Sequence, residues 1–285
     1  MNDRAEAEWD LIIRPKTRLL DLRLKELWRY KDLLFLLVRR DFVSFYKQTV
    51  LGPIWFLIQP LFTTLIYIFI FSRLAGISTD GIPQPVFYLS GIIAWSYFSD
   101  CLLKTSNVFR DNAGIFGKVY FPRLVMPVSI VISSLVRFGV QLALLILMIG
   151  YYVFTGEANF SPTPYIYAFP FLVLLMAILG LGFGMIISAV TTKYRDLSLL
   201  VSFVMPLLMY ATPVVYPLST VQGSLRLLIS ANPMTPVIEG IRLGVFGKGI
   251  FDLYSLLYLT IASLTVLIIG IIVFNKVEKN FVDTV

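Results

Sequence analysis

The chain has 285 residues, of which 58% are hydrophobic and only 14% charged, with a formal net charge of +7. Soluble domains carry nearer a quarter charged residues, so this composition excludes a soluble enzyme or binding module and indicates a polytopic membrane protein. Lys and Arg cluster beside apolar runs, which directs the basic excess to a membrane surface rather than to nucleic acid.

Residues 1–22 mix charges of both signs and lack the apolar core of a signal peptide, so they read as a cytoplasmic tail. Residues 23–49 follow as an amphipathic region. Leu24, Leu27, Trp28, Lys31, Phe35, Val38, Phe42 and Phe45 recur at helical spacing, and Arg23, Arg29, Arg40 and Lys47 lie opposite. This pattern predicts a helix lying in the interface, aromatics down and basic residues at the headgroups. The alternative is a soluble helix packed on a partner. Arg39, Arg40 and Lys47 suit an anionic surface at roughly 1 kcal/mol each. Gly52-Pro53 then marks a turn that opens the first apolar run.

Residues 50–285 read as one all-α transmembrane domain with six spans, at about 54–72, 86–103, 124–154, 165–190, 197–217 and 254–274. The third exceeds a bare crossing, so its start protrudes or tilts. Pro206 and Pro213 interrupt the fifth. With the N-terminus inside, the inner segments hold nineteen Lys and Arg and the outer segments four. That asymmetry places both termini in the cytoplasm.

Several stretches are candidates for function. The loop after the second span, from Lys104 to Leu124, has an apolar side in Phe109, Ile115 and Phe116 and is suited to docking a partner; its alternative is an ordinary basic inner loop. Asp100 and Arg137 both fall within predicted spans. Charges there are expensive and either pair or line a water-filled path. Gly180 and Gly184 form a face that permits close helix packing, with a hinge as the alternative. Between Pro217 and Gly249, Leu225, Leu228, Val237, Ile238, Ile241 and Val245 predict short amphipathic helices, either dipping back as an external gate or lying on the surface. Trp55, Phe56, Phe62 and Tyr67 populate the first span, where aromatics pack or line a path.

Some chemistry is missing. The chain has no histidine and a single cysteine, Cys101, so it lacks the commonest acid/base group and any intrachain disulfide. It has no G-x-x-x-x-G-K-[ST] loop, paired carboxylates or zinc spacing. These absences argue against a membrane-embedded transferase. A secondary transporter would show several ionisable residues near the midplane and repeated halves, and neither is seen.

Six motifs, in order, carry a resemblance: LWRYKDLLFLLVRRD, YKQTVLGPIWFLIQP, YFPRLVMPVS, TKYRDL, TPVVYP and NPMTPVIEGIRLGVFG. From about Leu22 onward the chain resembles the permease subunits of type-2 ABC exporters of O-antigen, capsule or teichoic-acid polysaccharides. Phe45 stands before Tyr46 where members often have Arg. The resemblance implies a homodimer in the bacterial inner membrane with two copies of a separate ABC ATPase. ATP and Mg would be held there and no cofactor here, and the cargo would be a lipid-linked polysaccharide. A related exporter of drugs or lipids is the alternative.

By the same resemblance, Val108, Phe109, Arg110, Asp111, Ile115, Phe116, Gly117 and Lys118 would form the coupling loop to the ATPase. Trp28, Arg39, Arg40, Asp41, Tyr46 and Lys47 would lie near the channel entrance. Tyr194, Arg195 and Asp196 would lie at the cytoplasmic mouth. Pro213, Tyr216, Pro217, Asn232, Pro233, Pro236, Glu239 and Arg242 would belong to an outer gate.

Overall fold

The computed structural model describes residues 28–47, 49–116, 121–157, 161–194 and 196–281, and every regular element among them is helical. Helix α1 (Lys31–Tyr46) is followed by a 3-10 turn, Gly52–Ile54, with Pro53 among its first residues, where a missing N–H costs nothing. Helix α2 (Trp55–Tyr67) continues from it into π-helical turns over Ile68–Leu74. Then come α3 (Gln84–Ser106), the short α4 (Val108–Asp111) and α5 (Ala113–Phe116), and α6 (Val125–Phe154). A 3-10 turn at Pro164–Ala168 leads into α7 (Phe169–Thr191). The chain closes with α8 (Leu197–Tyr210), α9 (Gly223–Ser230), α10 (Met234–Phe246) and α11 (Leu253–Phe281).

Among the described residues, five helical stretches are long and apolar enough to cross a membrane: Gly52–Leu74, Gln84–Ser106, Val125–Phe154, Pro164–Thr191 and Leu253–Val277. The protein is a multi-pass membrane protein. The further crossing predicted over 197–217 is a shorter apolar helix, α8, of 14 residues. At 1.5 Å per residue it is about 21 Å long, against roughly 30 Å of hydrocarbon. Pro206 is accommodated inside it, but the helix stops before Pro213, which has no N–H and disfavours a helical Thr212. Thr212 instead turns its hydroxyl back to the Leu208 carbonyl at 2.8 Å.

Helix α3 is the centre of the fold. Within its apolar window 78% is buried, against 22% for the Gly52–Leu74 stretch and for α11. Phe87, Tyr88 and Leu89 are fully enclosed, packed among residues of α6, α7 and α10. Helix α7 meets two neighbours through small residues. A Cβ on Gly180 would lie 2.6 Å from Cys101 Cβ, and one on Gly184 would lie 2.5 Å from Thr105 Cβ, so this face carries α3. Gly182 faces α11 instead, with Leu267 N and the Val266 carbonyl carbon 2.9 Å from where its Cβ would be. In a bilayer, where lipid tails are as apolar as leucine, such close backbone approach is what draws helices together.

Helix α1 docks on α6 through a face the predicted stripe did not include. Leu37 is buried, and Tyr30, Leu33 and Leu34 pack on the same cluster as Val108, Phe109 and Phe274. Trp28 and Phe35, from the predicted stripe, stay exposed. The helix therefore has two apolar faces, one held by protein and one open to the surroundings.

Candidate functional site

Three clusters gather most of the candidate residues. The first lies where α3 meets α6. Arg137 Nη1 donates to Asp100 Oδ2 at 2.6 Å, and its guanidinium stands 4.8 Å from the Phe56 ring centroid. Lys104 Nζ approaches the same carboxylate oxygen at 3.9 Å. Arg137 is about 18 Å from the start of α6, and Asp100 about 9 Å from the end of α3, at 1.5 Å per residue. Pairing them makes α6 run past α3 by about one and a half turns. On the facing helix, Arg40 binds Asp41 Oδ1 at 2.9 Å, and Ser133 of α6 donates to Asp41 Oδ2 at 3.4 Å. Arg39 and Lys47 are exposed; Tyr46 ends α1, and its side chain lies outside the described residues.

Charge reversal tests the first cluster. Arg137→Glu beside Asp100 is expected to lower the melting temperature of the solubilised protein markedly. Adding Asp100→Arg is expected to restore it in part, because Lys104 then faces a cation. A double variant no more stable than the single one would show that the pair does not hold α3 to α6.

The second cluster is the loop after α3. Val108, Phe109 and Phe116 are buried, and Phe109 stacks on Phe274 of α11 with ring centroids 4.7 Å apart. Arg110 and Asp111 face outward and bond to each other at 3.1 Å. Arg110 Nη1 also donates to Ser198 Oγ at 3.2 Å, and that hydroxyl donates to Asn107 Oδ1 at 2.7 Å. The loop is thereby rooted on α11 by its apolar side and tied to the start of α8 by its polar side. Asp196 accepts the Leu197 N–H at 3.1 Å at that same helix start. Tyr194 is exposed. Gly117, Lys118 and Arg195 lie outside the described residues.

The third cluster lies between α8 and α11. Helix α10 is buried almost throughout and α9 has no buried residue, so of the two predicted amphipathic helices one is enclosed by protein and one is peripheral. Arg242 is 2% exposed and donates to the Pro213 carbonyl at 2.6 Å and the Val214 carbonyl at 2.9 Å. Its guanidinium stands 3.7 Å from the Phe87 ring centroid. One turn back, Glu239 Oε1 lies 3.4 Å from Arg242 Nη1, while Glu239 Oε2 accepts the Ile250 N–H at 2.8 Å. Burial pushes the Arg242 guanidinium below its ordinary value, and the Glu239 carboxylate opposes that shift. Asn232, at the head of α10, donates to Thr212 Oγ1 at 2.8 Å and accepts the Met234 N–H at 3.0 Å. Pro213, Pro217 and Pro236 are buried, Pro233 is half-buried, and Tyr216 donates to the Tyr210 carbonyl at 3.1 Å. Gly247 closes α10 in the left-handed conformation, φ +66°, where its N–H reaches the Leu243 carbonyl at 3.0 Å.

The four aromatics of the first span do not share a face. Trp55 and Phe62 point outward, whereas Phe56 and Tyr67 are buried against α6 and α3 and serve packing.

Among the described residues these clusters contain no assembled nucleophile or acid/base pair; they are a set of inter-helix ties around a central helix. The ABC-2 type transporter family model matches residues 32–246. The chain belongs to the ABC-2 type transporter family. This ABC-2 permease is 28% identical over 265 residues to the O-antigen export system permease protein RfbA of Myxococcus xanthus, covering 92% of the chain and 98% of that protein. It is 27% identical over 233 residues to the polysialic acid transport protein KpsM of Escherichia coli, covering 80% of the chain and 87% of that protein. A capsule polysaccharide export inner-membrane protein, CtrC of Neisseria meningitidis, is 22% identical over 267 residues, covering 90% of the chain and 95% of that protein. As a permease of this family, the chain itself carries no ATPase activity.

Sequence reasoning missed several members of the clusters. Phe87, Asn107, Ser133 and Ser198 carry no motif, and only the packing of α3 against its neighbours brings them to their partners. Glu239 and Arg242, three residues apart, were legible as neighbours on one helix face. The carbonyls they serve were not.

Proposed function

We propose that this permease is the channel-forming subunit of an ATP-driven exporter that moves a lipid-linked polysaccharide of the O-antigen kind across the bacterial inner membrane. Its similarity to exporters of three differently named polysaccharides, over nearly its whole length, carries this reading. Two copies enclose the path, and two copies of an ABC ATPase bind ATP and Mg on the cytoplasmic side, where both termini lie. Exposed apolar faces on α2 and the π-helical turns that follow it (Phe62, Leu65, Phe69) and on α8 (Leu199, Phe203, Leu207) supply surface for the second copy and for lipid.

Residues Val108–Phe116 act as the coupling segment. Arg110 and Asp111 meet the ATPase, while Phe109 and Phe116 pass the displacement to α11 and the Arg110–Ser198 contact passes it to α8. The 14-residue α8, with residues 211–217, makes the sixth crossing. Trp28 and α1 lie at the entrance, Tyr194 and Asp196 at the cytoplasmic mouth, and residues 213–242 at the outer gate. ATP-driven closure of the ATPases pushes on the coupling segment, turns the two subunits and widens the path, in repeated cycles for a long polymer.

The test is co-purification from the native host, followed by ATPase assays with added glycan lipid or with hydrophobic drugs. A stoichiometric ATPase stimulated by the glycan lipid supports the reading. Stimulation by drugs alone assigns the permease to the drug- and lipid-exporting branch of the family, and a functional permease without an ATPase removes the proposal.

A further inference from the structure

A cavity of about 560 Å³ opens between α1, α2, α3 and α6, beside the first cluster. Its lining carries both signs of charge. Lys104 and Arg137 are held together by their shared Asp100 oxygen, and Asp41 lies against Ser133. Arg137 and Ser133 are four residues apart on α6, so they are separated by about one helical turn, roughly 5.4 Å. Phe42 and Phe56, with ring centroids 6.5 Å apart, supply apolar lining.

Lys104 and Asp41 each have hydrogen-bonding capacity beyond these contacts. An ammonium has three donors, and the 3.9 Å contact of Lys104 with Asp100 engages no more than one of them. A carboxylate has about four acceptor sites. Asp41 uses one oxygen for Arg40 and holds the other 3.4 Å from a hydroxyl, longer than a normal O–H···O bond. Lys104 is in the last turn of α3, and α1 presents Trp28 and Phe35 outward, so the cavity sits at the level where a span meets the headgroups.

The geometry points to a binding site for the headgroup of a bilayer phospholipid that bears both a phosphate and a primary ammonium, of the phosphatidylethanolamine kind. The phosphate accepts from Lys104 and Arg137, the ammonium donates to Asp41 across its two-carbon link, and the acyl chains leave past Phe42 and Phe56. A headgroup of the phosphatidylglycerol kind offers Asp41 hydroxyl donors but no cation to offset its charge. A quaternary ammonium has no N–H for Asp41. The bound lipid adds a further tie between α1 and the membrane domain, beside the Ser133–Asp41 contact and the Phe42–Phe56 packing. The site is independent of what the permease exports.

Native mass spectrometry of the intact, delipidated permease tests it, with phosphatidylethanolamine, phosphatidylglycerol or phosphatidylcholine added back. Wild-type protein is expected to retain phosphatidylethanolamine about tenfold more tightly than the other two, the equivalent of one charge-assisted hydrogen bond. Lys104→Gln is expected to lose this retention and Lys104→Arg to keep it. Asp41→Asn is expected to abolish the preference over phosphatidylglycerol. Equal retention of all three lipids overturns the proposal, as does a Lys104→Arg variant that behaves like Lys104→Gln. One-for-one displacement by a polyprenyl diphosphate also overturns it, and assigns the cavity to the lipid carrier of a cargo.

Discussion

Replacing Arg242 with alanine is expected to destabilise the folded permease by about 3–5 kcal/mol, the range seen when one member of a buried ion pair is removed. The loss has three sources. Glu239 would remain buried as a carboxylate with only the Ile250 N–H for company. The Pro213 and Val214 carbonyls, which belong to no helix, would lose their donors. Phe87 would lose the cation above its ring, a contact worth about 2 kcal/mol when desolvated. Replacing both charges, as Arg242→Met with Glu239→Leu, is expected to recover much of the loss, because no uncompensated charge then remains. Thermal melts followed by size-exclusion chromatography in detergent measure both. A single variant melting within ~2 °C of the wild type would refute the role given to Arg242.

The second large effect is expected at the crossing of α7 and α11. Gly182 and Gly270 face each other so closely that a Cβ on Gly270 would lie 2.7 Å from the Gly182 carbonyl oxygen. The obstructing atoms are backbone, so nothing small can swing aside and the helices must part. Gly182→Leu is expected to destabilise by at least the 1–3 kcal/mol typical of overpacking. Gly270→Ala is expected to cost less alone, and less again in the Gly182→Leu background, because separated helices leave room for the second Cβ. Gly139→Ala is the control. Nothing lies within 4 Å of where its Cβ would be, so its melting temperature should be unchanged or slightly raised. Additive losses at Gly182 and Gly270 would mean that the two glycines do not share one contact.

How much of this was legible in the sequence depends on the range of the interactions involved. The long apolar runs predicted their helices because crossing a bilayer is a local demand on about 20 residues. Gly180 and Gly184 were legible as a packing face by their spacing alone, but nothing in that spacing names Cys101 and Thr105 as what they meet. Asp100 and Arg137 stood out because charge inside an apolar run is costly. Their partner Lys104 looked like one more inner-side cation. The docking face of α1 was not legible for a related reason. Its apolar residues cover more than half the helix circumference, so Leu33, Leu34 and Leu37 competed with Trp28 and Phe35, and only the position of α6 decides between them. The end of α8 at Tyr210 was obscured because residues 211–217 remain apolar after the helix has stopped.

That early stop constrains how the protein is made. The carbonyls of Pro213 and Val214 receive their hydrogen bonds from Arg242, which lies 29 and 28 residues downstream. When this stretch leaves the ribosome its partner is still enclosed in the exit tunnel, and a 14-residue apolar helix is a weak signal for the insertion machinery. Until α10 emerges and folds back, these two carbonyls have only water or lipid headgroups to bond. The final seating of residues 213–214 is thus tied to the folding of α10, a dependence that a helix capped by its own neighbours would not have.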